Sequence, residues 1–223
     1  MVFPPQKPQV RGKERDDQVV RQWIERDWPR IKQQAKRTAA HLVFIDESGF
    51  LLHPVVRRTW AICGQTPTIL TRLRRRRRVS AIGGVSISPG RRHLGWYLQF
   101  HVDLGIRQEQ VMAFLCHLLA HLRGRLLVVW DRLGAHKGRK LRQWLQKCRR
   151  VHLEFLPPYA PELNPNEYGW SYLKCGELAN YCPEDAEQLR DTVLAAASNV
   201  AGQQSLLRGF IRGTKLPIRL MRH

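Results

Sequence analysis

Three carboxylates stand out in a chain poor in them. Asp46 follows the apolar run Leu42-Val43-Phe44-Ile45, and Asp131 follows Leu126-Leu127-Val128-Val129-Trp130. Glu167 ends Asn164-Pro165-Asn166-Glu167, beyond a proline-rich stretch that begins at Pro157. If the two apolar runs are neighbouring parallel strands, the aspartates come side by side, and like charges that close repel unless a cation lies between them. Hard divalent cations such as Mg²⁺ take oxygen ligands and keep waters that a phosphate can replace. Two such ions about 4 Å apart form a clamp for in-line attack on a phosphodiester. Each residue also has an ordinary reading. An Asp after a strand is often a turn residue or a cap. Asn164-Pro165-Asn166-Glu167 places Asn at the N-cap, Pro at N1 and Glu at N3 of a helix, which resembles a capping box.

The charge balance points to a partner. The 223 residues hold 38 Lys and Arg against 18 Asp and Glu, a formal charge of +20. With a pI near 10.8, nucleic acid is the leading partner class. Arg72 and then Arg74, Arg75, Arg76, Arg77 and Arg78 form a run broken only by Leu73. It reads as a phosphate-contacting loop, with a solvated basic turn as the plain alternative. His136, just past Asp131, reads as a metal neighbour, as a DNA contact with Lys137, or as a helix-start residue beside Lys137. Trp60 and Trp130 read as core rather than as base-stacking platforms, and Tyr159 lies in the exposed proline loop. The remaining histidines show no metal-ligand spacing.

A hydrophobic content of 43% excludes a wholly disordered chain. Five cysteines without CxxC spacing suggest neither a disulfide framework nor a zinc knuckle, but reduced thiols in a cytosolic protein, some filling the core. No apolar signal-peptide core opens the chain, and no run approaches the ~20 apolar residues of a membrane span.

The elements that must position the carboxylates follow from periodicity. Residues 1–16 read as a flexible basic leader, and 17–37 as helical with a break at Pro29. His41–Ile45 reads as a strand buried on both faces, ending in a polar turn Asp46-Glu47-Ser48-Gly49. A short extended piece is expected over 58–63. Val79–Ser88 and His93–His101 form a hairpin, and Ile106–Leu122 a helix with 3.6-residue spacing. Arg125–Trp130 is a central strand, Lys137–Cys148 a helix, Val151–Leu156 a strand, and further helices start at Asn164 and near Pro183. The order predicts an α/β fold: a mixed sheet, antiparallel hairpin plus parallel strands, with helices on both faces and a site beyond the carboxyl ends of its strands. The division expected is a leader and linker helix over 1–37, a catalytic domain over 38–205 and a basic tail over 206–223.

Four segments together resemble one family: Phe44-Ile45-Asp46-Glu47-Ser48-Gly49-Phe50; Arg58-Thr59-Trp60-Ala61 with Gly64-Gln65-Thr66-Pro67; Val128-Val129-Trp130-Asp131 with Ala135-His136-Lys137; and Leu156-Pro157-Pro158-Tyr159-Ala160-Pro161-Glu162-Leu163-Asn164-Pro165-Asn166-Glu167. They are similar to the catalytic domain of bacterial insertion-sequence transposases of the mariner-related branch, DDE superfamily endonucleases. The resemblance implies a ribonuclease-H-like fold, with Asp46, Asp131 and Glu167 as a triad for two Mg²⁺ ions, which Mn²⁺ can replace. It implies cleavage of double-stranded DNA at transposon ends and strand transfer to target DNA, by a homodimer on DNA in the bacterial cytoplasm, at the nucleoid. Arg132 stands where the family often has Asn. Family members carry N-terminal helix-turn-helix modules for which 1–16 leaves no room, so an upstream-frame product would supply end recognition. The rival reading is an inactive or truncated DNA-binding remnant, and the intact triad argues against it.

Overall fold

The structure, a computed structural model, describes residues 12–71, 77–131 and 138–221. Its frame is a five-stranded sheet: β1 (His41–Leu51), β2 (Arg78–Ile87), β3 (Leu94–Val102), β4 (Leu126–Trp130) and β5 (Val151–Phe155). The spatial order is β3-β2-β1-β4-β5. β1 pairs antiparallel with β2, and β2 with β3, whereas β1–β4 and β4–β5 are parallel. The mixed sheet expected from the sequence is thus present.

Alternation along the strands separates two cores. Leu42 and Phe44 of β1, with Leu127 and Val129 of β4, face one side. There they meet helices α1 (Asp17–Gln22), α2 (Trp28–Arg37), α5 (Pro165–Tyr172), α6 (Ala186–Ala201) and α7 (Gln204–Gly213). Val43, Ile45, Val128 and Trp130 face the other, against α3 (Gln108–His121) and α4 (Arg139–Lys147). Fully burying each large apolar side chain contributes about 1.5–3 kcal/mol, so β1 and β4, apolar on both sides, are the anchored centre of the fold.

Four departures from the sequence-based expectation have physical causes. The segment Asp46-Glu47-Ser48-Gly49 is not a turn: β1 runs on to Leu51, because β2 supplies a partner for every residue down to Leu51↔Arg78. Pro29 does not break the N-terminal helix. A π turn over Trp23–Asp27 precedes it, with the Trp28 amide bonding back to the Trp23 carbonyl. The wider turn accommodates a ring that would otherwise crowd the carbonyl four residues back. Residues 58–63 form no strand; the nearest pairing is a single bridge, Val55 to Ala179. Within 206–223, expected as a basic tail, α7 buries Leu207, Phe210 and Ile211 in the larger core. Trp130 is fully buried as expected, whereas Trp60 is 99% exposed. None of the five cysteines fills the core or forms a disulfide. Among the described residues no helix is long and apolar enough to cross a membrane.

Candidate active site

β1 and β4 run parallel only as far as the pair Phe44↔Val129. Asp46 and Asp131 each lie two residues further along, so the register sets them level at the carboxyl end of β4. Asp46 is a mid-strand residue at the point where β1 loses β4 as a neighbour, not a strand-terminal one. Its even position turns it toward α5, which carries Glu167 in its first turn. Asp46, Asp131 and Glu167 line one cleft of about 340 Å³ whose wall is Leu156 to Pro161. The three carboxylates that sequence singled out are therefore brought together from three separate elements. A larger groove of about 410 Å³ at the other end of β1 carries no carboxylate among its lining residues.

The helix bearing Glu167 is fastened to the strand bearing Asp46 by buried polar bonds. Asn164, the N-cap, accepts from the Asn166 amide and donates its Nδ2 to the Ile45 carbonyl at 2.9 Å. Asn166, fully buried, donates to the Phe44 carbonyl at 2.8 Å and accepts from Trp96 Nε1 at 3.0 Å. Trp170, one turn beyond Glu167, donates its Nε1 to Asp46 Oδ2 at 2.9 Å. Trp170 can lie this close because β2 has Gly83 beneath it: a Cβ there would stand 2.7 Å from the indole. A glycine inside a strand often marks such an approach.

Electrostatically the carboxylates of the cleft act against one another. Asp46 is 7% exposed, and burial raises its carboxyl well above the ordinary carboxylate range, helped by the charges of Glu167 and Asp131 and opposed by Trp170. Glu167 reaches solvent, yet the protein crowded around its carboxyl also raises it; Lys174 draws it back and Asp131 adds to the rise. Lys174, in the π turn Leu173–Glu177 that continues α5, donates to Ser48 Oγ at 2.8 Å and stands over the Phe50 ring. Burial lowers its ammonium, and Glu167 and Asp46 raise it. Such a set, oxygen donors only and mutually repelling, fits a hard divalent cation. Among the described residues no three His, Cys, Asp or Glu side chains already converge closely enough to hold an ion. The carboxylates face a common space rather than a common point.

Of the basic residues singled out, Arg72, Arg74, Arg75, Arg76, His136 and Lys137 lie outside the described residues. Arg77 is engaged within the chain, paired with Asp103 at 2.5 Å and Glu187 at 2.9 Å. Arg78 is exposed and opens β2. Asn166, Trp96, Trp170, Ser48 and Lys174 were not singled out from sequence, and the one linear cue to this network is Gly83.

Residues 41–190 match the family model described as "DDE superfamily endonuclease". The chain belongs to the DDE superfamily endonucleases. Asp46, Asp131 and Glu167 all lie in the matched span. Among solved structures, the Mos1 transposase paired-end complex with left transposon end superposes with a TM-score of 0.66 at 17% identity, covering 97% of this chain and 64% of that one. The Mos1 strand transfer complex gives 0.64 at 17% identity, with 96% and 62% covered. The catalytic domain of Mos1 mariner transposase gives 0.55 at 15% identity, covering 92% and 90%. At these identities the likeness establishes the fold, a ribonuclease-H-like sheet with its surrounding helices. The chain spans less than two thirds of the Mos1 chains in the DNA complexes. No curated protein matches it by sequence.

Proposed function

We propose that this DDE superfamily endonuclease is the catalytic part of a transposase of the bacterial insertion-sequence kind. It cleaves DNA at transposon ends and joins the freed 3′-hydroxyl to target DNA. The observation that carries the reading is that Asp46, Asp131 and Glu167 line one cleft at the carboxyl end of β4. Two of the Mos1 structures that share the fold are paired-end complexes with Mn and with Mg, in keeping with the oxygen-only donor set here.

Asp46, Asp131 and Glu167 would hold the two Mg²⁺ ions, or Mn²⁺ in their place. Bound there, the ions would polarise the scissile phosphate and sharpen the attacking oxygen as a nucleophile. The chain does the rest. Trp170 and the buried asparagines hold Asp46 and the Glu167 helix in register, so that water attacking the phosphodiester at the transposon end and, afterwards, the freed 3′-hydroxyl attacking a phosphodiester of the target meet the same in-line geometry. The proline wall limits solvent on one side. Arg72, Arg74 to Arg78, His136 and Lys137 hold the DNA backbone, for which Arg77 must exchange its carboxylate partners for phosphate. A homodimer on paired ends at the bacterial nucleoid completes the reading.

The test is cleavage of duplex DNA by the purified chain with Mg²⁺ or Mn²⁺, and its loss with EDTA. Asp131→Asn removes a charge without changing shape, so it is expected to abolish cleavage while circular dichroism and non-specific DNA binding stay unchanged. Cleavage at the native rate would remove Asp131 from the mechanism. Replacing Arg74 to Arg78 by Ser is expected to flatten the dependence of log K on log salt by about 0.9 for each phosphate no longer neutralised; an unaltered slope would take the run out of the DNA interface.

A further inference from the structure

The proline wall of the cleft is held from outside by the segment that precedes α1. Arg15 reaches across 144 residues of sequence. Its Nη1 donates to the Tyr159 carbonyl at 2.9 Å and to Glu162 Oε2 at 3.0 Å, and its Nη2 to Glu162 Oε1 at 2.6 Å. The remaining guanidinium nitrogen donates to Asp17 at 2.8 Å. The Arg15 side chain is only 11% exposed, and a planar fork bound at both ends to a carboxylate is directional as well as charged. Burial pushes the Glu162 carboxyl up and Arg15 outweighs it, leaving it below its ordinary range. Beside this contact, Gly12 lies against the Tyr159 ring.

What Arg15 grips is a strained piece of chain. Tyr159 has φ of 55°, a left-handed conformation that an aromatic residue keeps only where its surroundings enforce it. From Tyr159 the chain enters the turn Pro161–Leu163, where the Leu163 and Asn164 amides bond to the Ala160 and Pro161 carbonyls. Asn164 then caps α5, and Glu167 follows in its first turn. Arg15 therefore holds the later part of the segment that forms the cleft wall, at Tyr159 and at Glu162, where the chain turns toward the acidic helix. It lines neither core, and α1 and its π turn are anchored independently by Val20 and Trp23.

We propose that Arg15 is a positioning residue for the cleft: by clamping the Tyr159 carbonyl and Glu162, it fixes the proline wall and, through it, the approach of Glu167 to Asp46 and Asp131. The proposal rests on the cleavage reading for its effect on rate, but its structural half is independent of it. Arg15→Ala and Glu162→Gln are each expected to lower kcat for metal-dependent DNA cleavage about tenfold, the scale of a small misplacement at a reacting centre. KM for DNA and the thermal midpoint should change little. Arg15→Lys, which keeps the charge and a donor but loses the planar two-pronged grip, should recover part of the rate, which a loss of general stability would not. Hydrogen exchange supplies a readout that needs no activity: the amides of 156–167 should exchange faster in Arg15→Ala, and those of β1 and β4 should not. Unchanged exchange over 156–167 overturns the proposal whether or not the chain cleaves DNA. A native kcat in Arg15→Ala overturns it as well. Absence of cleavage by the native chain, with the exchange difference present, would count against the transposase reading and leave the clamp standing.

Discussion

The two faces of the sheet meet the cleft by different means. On the α3 side, Ile45, Ile82 and Trp130 pack with Phe114, Leu118 and Leu141 in a cluster of apolar side chains. On the α5 side, equally tight packing of Phe44, Trp96 and Trp170 is threaded by the bonds of Asn164, Asn166 and Trp170 to β1. Apolar contact is strong but non-directional, so a helix held by it alone can settle by fractions of an ångström at little cost. Buried hydrogen bonds at 2.8–3.0 Å are costly to break and specify position. The first side supplies cohesion, and the second sets where the acidic residues stand.

The contrast can be broken most directly by damaging each side equally. Leu118→Ala, on the cohesive side, should cost about 2–5 kcal/mol. Asn166→Leu, which strands the Phe44 carbonyl and Trp96 Nε1, should cost a comparable 2–4 kcal/mol or so in denaturant unfolding. Cleavage per folded molecule should stay near native in the first and drop sharply in the second. Equal activities would mean that position is not set by the polar bonds.

Two adjacent glycines of β2 sharpen the comparison on a smaller scale. Gly83 faces α5 and Gly84 faces α3. A Cβ at Gly83 would stand 2.7 Å from the Trp170 ring, whereas at Gly84 the nearest atom, from Phe114, is 3.2 Å away. Gly83→Ala should lose about 1–3 kcal/mol and displace Trp170, seen in its fluorescence, while Gly84→Ala should lose about 1 kcal/mol or less. The reverse order would show that the α5 side is the more yielding of the two.

The last effect is electrostatic. The folded-state pKa of Asp46 is raised by burial and by Glu167 and Asp131. Its contribution to stability is therefore present below the unfolded value and lost as pH rises through the folded one. In EDTA, Asp46→Asn should be more stable than the native chain at neutral pH, and the advantage should vanish near pH 4. Excess Mg²⁺ should favour the native chain instead. An advantage independent of pH would show that Asp46 does not carry the strain assigned to it.

Much of this was legible in the sequence, for identifiable reasons. β4 and the apolar half of β1 are continuous hydrophobic runs, which only a strand covered on both faces requires. Asp46, Asp131 and Glu167 follow from being acids at the ends of such runs or at a capped helix start. The extension of β1 through Glu47, Ser48 and Gly49 was hidden because it depends on the long-range register with β2, and the residue types there favour turns. In α7, Arg208 and Arg212 mask the buried spacing of Leu207, Phe210 and Ile211. The asparagine network could not be read at all: in one dimension Asn164 and Asn166 are a cap and its neighbour, and their second partners lie about 120 residues away.

The overhang of β1 beyond β4 has one more consequence. A sheet normally exposes unpaired backbone only along its outer margins, but here, among the described residues, the flank of β1 that faces β4 has no strand beside it from Ile45 onward. Such a flank is a template for any extended chain that wanders in, whether from a second molecule or from a half-folded part of the same one. Asn164 occupies the Ile45 carbonyl, and Lys174 brings a cation to Ser48 further along. A covering side chain and a lysine are the means by which exposed strand margins are kept from recruiting partners. The acidic cleft and the protection against misassembly therefore share one stretch of backbone, which must stay open to a phosphodiester while refusing a peptide.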